Sequence, residues 1–119
     1  MPFEKFTKSG RGYSPKAAIW SRGQIGFNRG ACEKYKIGDY DYATLYFDSG
    51  TRRIGVKFTN DAEDSGVTKI VKSKTGAFIS ANKFLDYYEI PHPKTKKYPI
   101  KYDKEEELYV IELEEDQNE

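Results

Sequence analysis

Residues 21–37, SRGQIGFNRGACEKYKI, are answered 53 positions later by residues 74–90, KTGAFISANKFLDYYEI. Both stretches put glycine third (Gly23, Gly76), follow it two positions on with an aliphatic or aromatic residue (Ile25, Phe78), and close on Tyr-x-Ile with Tyr35 and Ile37 or Tyr88 and Ile90. A second pair of blocks sets residues 44–58, TLYFDSGTRRIGVKF, on residues 99–113, PIKYDKEEELYVIEL, so that Asp48 falls on Asp103 and Val56 on Ile111. Neither alignment needs a gap. Self-similarity of this kind marks a chain built from two copies of one supersecondary unit.

Each copy reads as β-β-α-β-β. An apolar run (residues 17–20, then Ile70 and Val71) leads into a glycine turn and a short second strand, residues 24–27 or 77–79. A short helix follows, capped by Asn28 in the first copy and by Ser80 in the second. Its apolar stripe is Ala31, Cys32 and Tyr35, or Phe84, Leu85 and Tyr88, and Gly38 or Pro91 stops it. A hairpin through Asp48 or Asp103 closes the copy, and Arg52 and Arg53 lie in the first of these turns. A unit of about 45 residues buries too little on its own, so the two copies fold together. The predicted class is mainly β with short helices, the two repeats folded together in one domain. The domain spans residues 17–113, with repeats at 17–58 and 67–113 and a polar linker at 59–66. A flexible basic arm (1–16) precedes it and an acidic tail (114–119) follows.

The chain has 119 residues, 37% hydrophobic and 33% charged, the size of one domain. No apolar run approaches the ~20 residues that cross a bilayer, so no membrane role is expected. The first residues lack the apolar segment of a signal peptide. Cys32 is the only cysteine, which rules out an internal disulfide and a cysteine zinc cage and fits a cytoplasmic protein.

Ser21-Arg22-Gly23-Gln24-Ile25 before a short helix, Ile37-Gly38-Asp39 after it, and Leu45-Tyr46-Phe47-Asp48 turning into Ile54-Gly55-Val56-Lys57-Phe58 resemble the AbrB/MazE/MraZ superfamily of swapped-hairpin barrels. The match covers residues 17–58 and, more weakly, 69–113. The resemblance implies a swapped-hairpin β-barrel formed by two interlocked β-β-α-β-β repeats as an intrachain pseudo-dimer, and a role as a transcriptional regulator or accessory protein on duplex DNA. Two departures stand out. Asn28 and Ala81 replace the proline where strand meets helix, and Leu85 and Asp86 fall where helix arginines lie in DNA-binding members.

The net charge of +1 hides an asymmetry. Residues 1–36 carry eight Lys and Arg against two acids, whereas residues 37–119 carry twelve against seventeen. Lys5, Lys8, Arg11, Lys16, Arg22 and Arg29 are interleaved with Phe3, Phe6, Tyr13 and Trp20, which suits phosphate contact with aromatic stacking. The expected nucleic-acid-binding residues are Lys8, Arg11, Lys16, Arg22 and Arg29, with Arg52 and Arg53 as a second clamp. Neutralising six phosphates gives a log–log salt slope of about −5. Lys94, Lys96 and Lys97 read as a solvated loop.

Nothing in the pattern points to catalysis, a metal or a cofactor. His92, the single histidine, lies between Pro91 and Pro93 with no partner implied, and Cys32 reads as a packing thiol. Asp61, Glu63 and Asp64 do not have calcium-loop spacing. The expected function is therefore non-enzymatic binding of double-stranded DNA, by a monomer or homodimer. The alternative is a protein-interaction module of antitoxin, phage or structural type, presenting Tyr40, Tyr42, Tyr46, Tyr87 and Tyr88.

Overall fold

The computed structural model describes residues 15–113. The basic arm up to residue 14, with Lys8 and Arg11, and the acidic tail at 114–119 lie outside the described residues. The elements in order are β1 (Lys16–Ile19), β2 (Gln24–Phe27), α1 (Arg29–Tyr35), a 3-10 turn (Ile37–Asp39), β3 (Tyr42–Asp48) and β4 (Arg53–Thr59). There follow β5 (Thr68–Lys69), β6 (Val71–Lys72), β7 (Ala77–Ser80), α2 (Asn82–Tyr87), β8 (Lys96–Asp103) and β9 (Leu108–Glu112). The strands pair antiparallel in the order β5-β3-β4-β9-β8-β1-β2-β7-β6. Only Ile70 separates β5 from β6, so the two ends of this order meet and the sheet is a nearly closed barrel.

Alternation along each strand sorts side chains between the barrel interior and its outer surface. Ile19, Ile25, Ile54, Val56, Ile79, Ile100 and Ile111 point inward and are almost wholly buried. Ala31 of α1 and Leu85 of α2 join them. Each helix reaches the closing hairpin of the opposite half. The Tyr35 hydroxyl donates to the Ile100 carbonyl (3.2 Å) and its ring lies 4.7 Å from that of Tyr109. Phe84 and Tyr88 meet Phe47 at 6.2 and 4.8 Å.

Positions matched by the two sequence blocks also correspond in backbone conformation. Four non-glycine residues among those described have left-handed φ: Lys36 (54°), Glu89 (55°), Arg52 (56°) and Glu107 (58°). They form two pairs at the separations of the two sequence blocks. Asp48 and Asp103, the one identity in the second block, share a role. Asp48 Oδ1 accepts from the N–H groups of Gly50 (3.0 Å) and Thr51 (3.3 Å). Asp103 Oδ1 accepts from Glu105 (3.0 Å) and Glu106 (3.2 Å). Each side chain thus closes its own turn, the reason aspartate suits that position. Hydrogen bonds from the Thr51 hydroxyl and backbone, with Gly50 and nearby Arg53 adding to them, hold the Asp48 carboxyl below its ordinary value.

Gly23 and Gly76 share a constraint too. A Cβ on Gly23, whose φ is +88°, would fall 1.5 Å from Asn82 Oδ1, and one on Gly76 would fall 2.4 Å from the Phe27 carbonyl oxygen. Each hairpin turn lies against the strand–helix junction of the other half.

Several local expectations are corrected. Asn28 does cap α1, its Oδ1 accepting from the N–H groups of Ala31 (2.8 Å) and Lys16 (3.0 Å), an arrangement worth about 1 kcal/mol. Ser80, however, is the last residue of β7; the α2 cap position is Ala81, whose side chain cannot accept, and its N–H donates to Gly23 O (2.9 Å). Helix α1 ends in left-handed Lys36 rather than at Gly38, and α2 ends at Tyr87 before Pro91 is reached. The ungapped alignment sets Ile25 on Phe78, yet Ile25 faces Ile79 inside the barrel and Phe78 faces Gly26 outside. Three positions separate Ile25 from the cap Asn28 and two separate Ile79 from the cap Ala81, so the register slips by one and reverses the faces. Arg53 opens β4 instead of lying in the turn, and Lys96 and Lys97 open β8 instead of lying in a loop.

Candidate nucleic-acid interface

Outward-facing residues of β8, β1, β2, β7 and β6 form one row, in the register Lys97–Ala18–Gly26–Phe78–Val71. Gly26 leaves a gap at the centre of this row. The six-membered ring of the Trp20 indole fills it, within 2.5 Å of where a Cβ at Gly26 would stand. Trp20 thereby reaches over β2 to Phe78, with ring centroids 5.4 Å apart and planes tilted by 51°. Beside these rings opens a cleft of about 360 Å³, walled by Lys16 and Lys97 on one side and Ser73 and Thr75 on the other. No carboxylate lines it among the described residues.

The surrounding cations come from both halves of the sequence. Arg22 leaves the β1–β2 turn with its guanidinium 6.0 Å from the Trp20 ring centre, within the range of a cation–π contact. That turn is held against the loop before β8. The Ser21 N–H donates to Thr95 Oγ1 (3.3 Å), and His92 Nδ1–H donates to the Ser21 carbonyl (3.1 Å). The loop that carries Lys94 is thus tied to the Arg22 turn, Lys97 faces outward beside Ala18, and Lys96 lies on the other face of β8 with its ammonium 5.9 Å from the Tyr98 ring. Their density was visible in the sequence, but their link to the first half needs the β1–β8 ladder.

The other expected contact residues are placed differently. Lys16 begins β1 at the cleft. Arg29 opens α1 at the opposite end of β2 from Arg22 and pairs with Glu33, Nε to Oε2 at 3.0 Å. Arg53 donates to Thr51 Oγ1 (2.9 Å) and approaches Asp48 at 3.8 Å. Arg52 lies 5.7 Å from the Phe47 ring, beside α2. A cleft of about 340 Å³ at the β8–β9 hairpin holds Arg53, Lys101 and Lys104 but also Asp103 and Glu112. Its charges are thus mixed within the cleft itself. Lys16 lines the cleft at the Asn28 end of β1, and Arg22 lies near the Trp20 ring at the other end; Arg29, Arg52 and Arg53 do not line the cleft.

His92 stands at the Ser21 turn. Cys32 sits on α1 with its sulfur 3.8 Å from the Phe27 carbonyl, and burial followed by the neighbouring Glu33 pushes its thiol pKa up. They lie towards opposite ends of β2. No cluster of three or more His, Cys, Asp or Glu side chains is arranged for a metal among the described residues, and no helix there is long and apolar enough to cross a membrane. Of the tyrosines, Tyr40 stacks on Phe58 at 5.9 Å, Tyr46 is 44% exposed on β3, and Tyr87 (78%) and Tyr88 (38%) stand out from α2.

Comparison with protein-family models, with curated proteins and with solved structures returns no match to this chain.

Proposed function

We propose that this chain is a non-enzymatic DNA-binding protein whose barrel is a swapped-hairpin pseudo-dimer of the AbrB/MazE/MraZ kind, acting in transcription. The paired left-handed residues, the paired aspartate turns and the crossed helix contacts support the pseudo-dimer reading. The single observation that carries the binding role is the carboxylate-free cleft beside Trp20, rimmed by Lys16 and Lys97 and approached by Arg22. Elsewhere, Arg29 and Arg53 are engaged by acids of their own segments. A polyanion meets no lining carboxylate in the Trp20 cleft among the described residues, and Lys16, the residue at the end of the basic arm in sequence, lines it.

Anisotropy of a labelled duplex across a salt series tests this. Five cations (Lys8, Arg11, Lys16, Arg22 and Lys97) predict a slope of log affinity on log salt of about −4.5. The triple variant Lys16→Ala, Arg22→Ala, Lys97→Ala should flatten it by about 2.7. An unchanged slope would remove these residues from the interface.

The alternative, a protein-interaction module, draws on Tyr87, which is 78% exposed and edge-on to Tyr88 at 4.8 Å. A mass that rises with protein concentration and ignores added DNA would favour it.

A further inference from the structure

We infer that the cleft over Gly26 accepts an unpaired nucleotide, its base stacked against Trp20 and Phe78 and its flanking phosphates on Lys16 and Lys97. The inference rests on the nucleic-acid reading above and narrows it to single-stranded segments at this face. In a duplex, bases offer only their edges in the grooves, and their faces are covered by neighbours. A tilted pair of aromatic rings with cations at the rim is instead the combination by which proteins hold single strands, because every base has a π-face. Gly26 is what makes this geometry possible. Any larger residue would displace the indole and separate it from Phe78. The Arg22 guanidinium lies 6.0 Å from the centre of the same indole, and cation–π contact adds to stacking in such sites. Ser73 and Thr75 line the far wall; the Ser73 hydroxyl donates to the Gly76 carbonyl (3.2 Å) and keeps its lone pairs as acceptors.

Trp20 is the only tryptophan in the chain, so its fluorescence reports on the cleft alone. The intact protein would be titrated with three 12-mers at equal ionic strength: oligo-dT, an abasic strand with the same phosphates, and a duplex. Anisotropy gives binding and tryptophan emission gives stacking. Oligo-dT is expected to quench Trp20 by about half and to bind about tenfold more tightly than the abasic strand. Phe78→Leu, which keeps an apolar side chain, should lower oligo-dT affinity about tenfold while leaving duplex affinity within twofold. Equal affinity for oligo-dT and the abasic strand without quenching would overturn the inference and leave phosphate binding standing. No binding of any of the three at low salt would overturn the nucleic-acid reading itself. The comparison of strands uses the unmodified protein, so it decides the matter even if the variant folds poorly.

Discussion

Ile79→Ala lowers the free energy of unfolding by about 3 kcal/mol and the melting temperature by roughly 10 °C. Ile79 is wholly buried and faces Ile25, also wholly buried, across the β2–β7 ladder. That ladder is the direct strand contact between the first glycine hairpin and its counterpart in the second half. Removing three carbons there takes away apolar contact and leaves a hole between two strands fixed by partners on both sides, β1 and β6. Neither strand can move in to fill it. Chemical denaturation with an unchanged m-value checks the size of the loss. A loss below about 1 kcal/mol, the scale of a surface change, would mean that the two halves do not depend on this contact.

The second large effect belongs to a glycine. Gly76→Val should cost about 3 kcal/mol, the upper end for forcing atoms into a filled space. Its Cβ would press on the Phe27 carbonyl oxygen at 2.4 Å, and a backbone atom in a paired strand has nowhere to go. Gly38→Ala is the matched control. Nothing lies within 4 Å of a Cβ there and its φ is not left-handed, so its stability should stay within about 0.5 kcal/mol of the parent. Thermal melts of both variants test the contrast. Equal effects would contradict the close approach of the second hairpin to the first strand–helix junction.

Much of this fold is written locally in the chain. The Asn28 cap and the two aspartate turns depend on residues within three or four positions and are readable as such, whereas Gly76, whose φ is not left-handed, is constrained by Phe27 of the other half. The closing hairpins follow from alternation and from the spacing between Asp48 and Arg53 or Asp103 and Leu108. What local pattern does not carry is register between distant strands. Phe78 and Ile79 are both apolar neighbours in β7, and only pairing with Gly26 and Ile25 decides which faces out. Nor does the run at Ile70 and Val71 give any sign that Ile70 separates two strands, β5 on β3 and β6 on β7.

The candidate interface was half visible for the same reason. The basic character of the first 36 residues is a matter of composition. That Lys97 stands beside Ala18, or that Trp20 spans Gly26 to touch Phe78, follows from ladders joining residues more than 50 positions apart. Arg29 and Arg53 looked equivalent to Arg22 in sequence. Their carboxylate neighbours, Glu33 and Asp48, distinguish them once side chains are in place.

The Trp20 face is tested most sharply by an amide NMR titration of labelled protein with nucleic acid, first at low salt and then at physiological salt. A nucleic-acid face built around Trp20 gives salt-sensitive shifts concentrated at Lys16–Ile19, the Arg22 turn, Phe78 and Lys96–Lys97, with the β8–β9 hairpin tip at Lys104–Glu107 unmoved. Shifts absent at low salt, or gathered on α2 around Tyr87 instead, would contradict a nucleic-acid face built around Trp20.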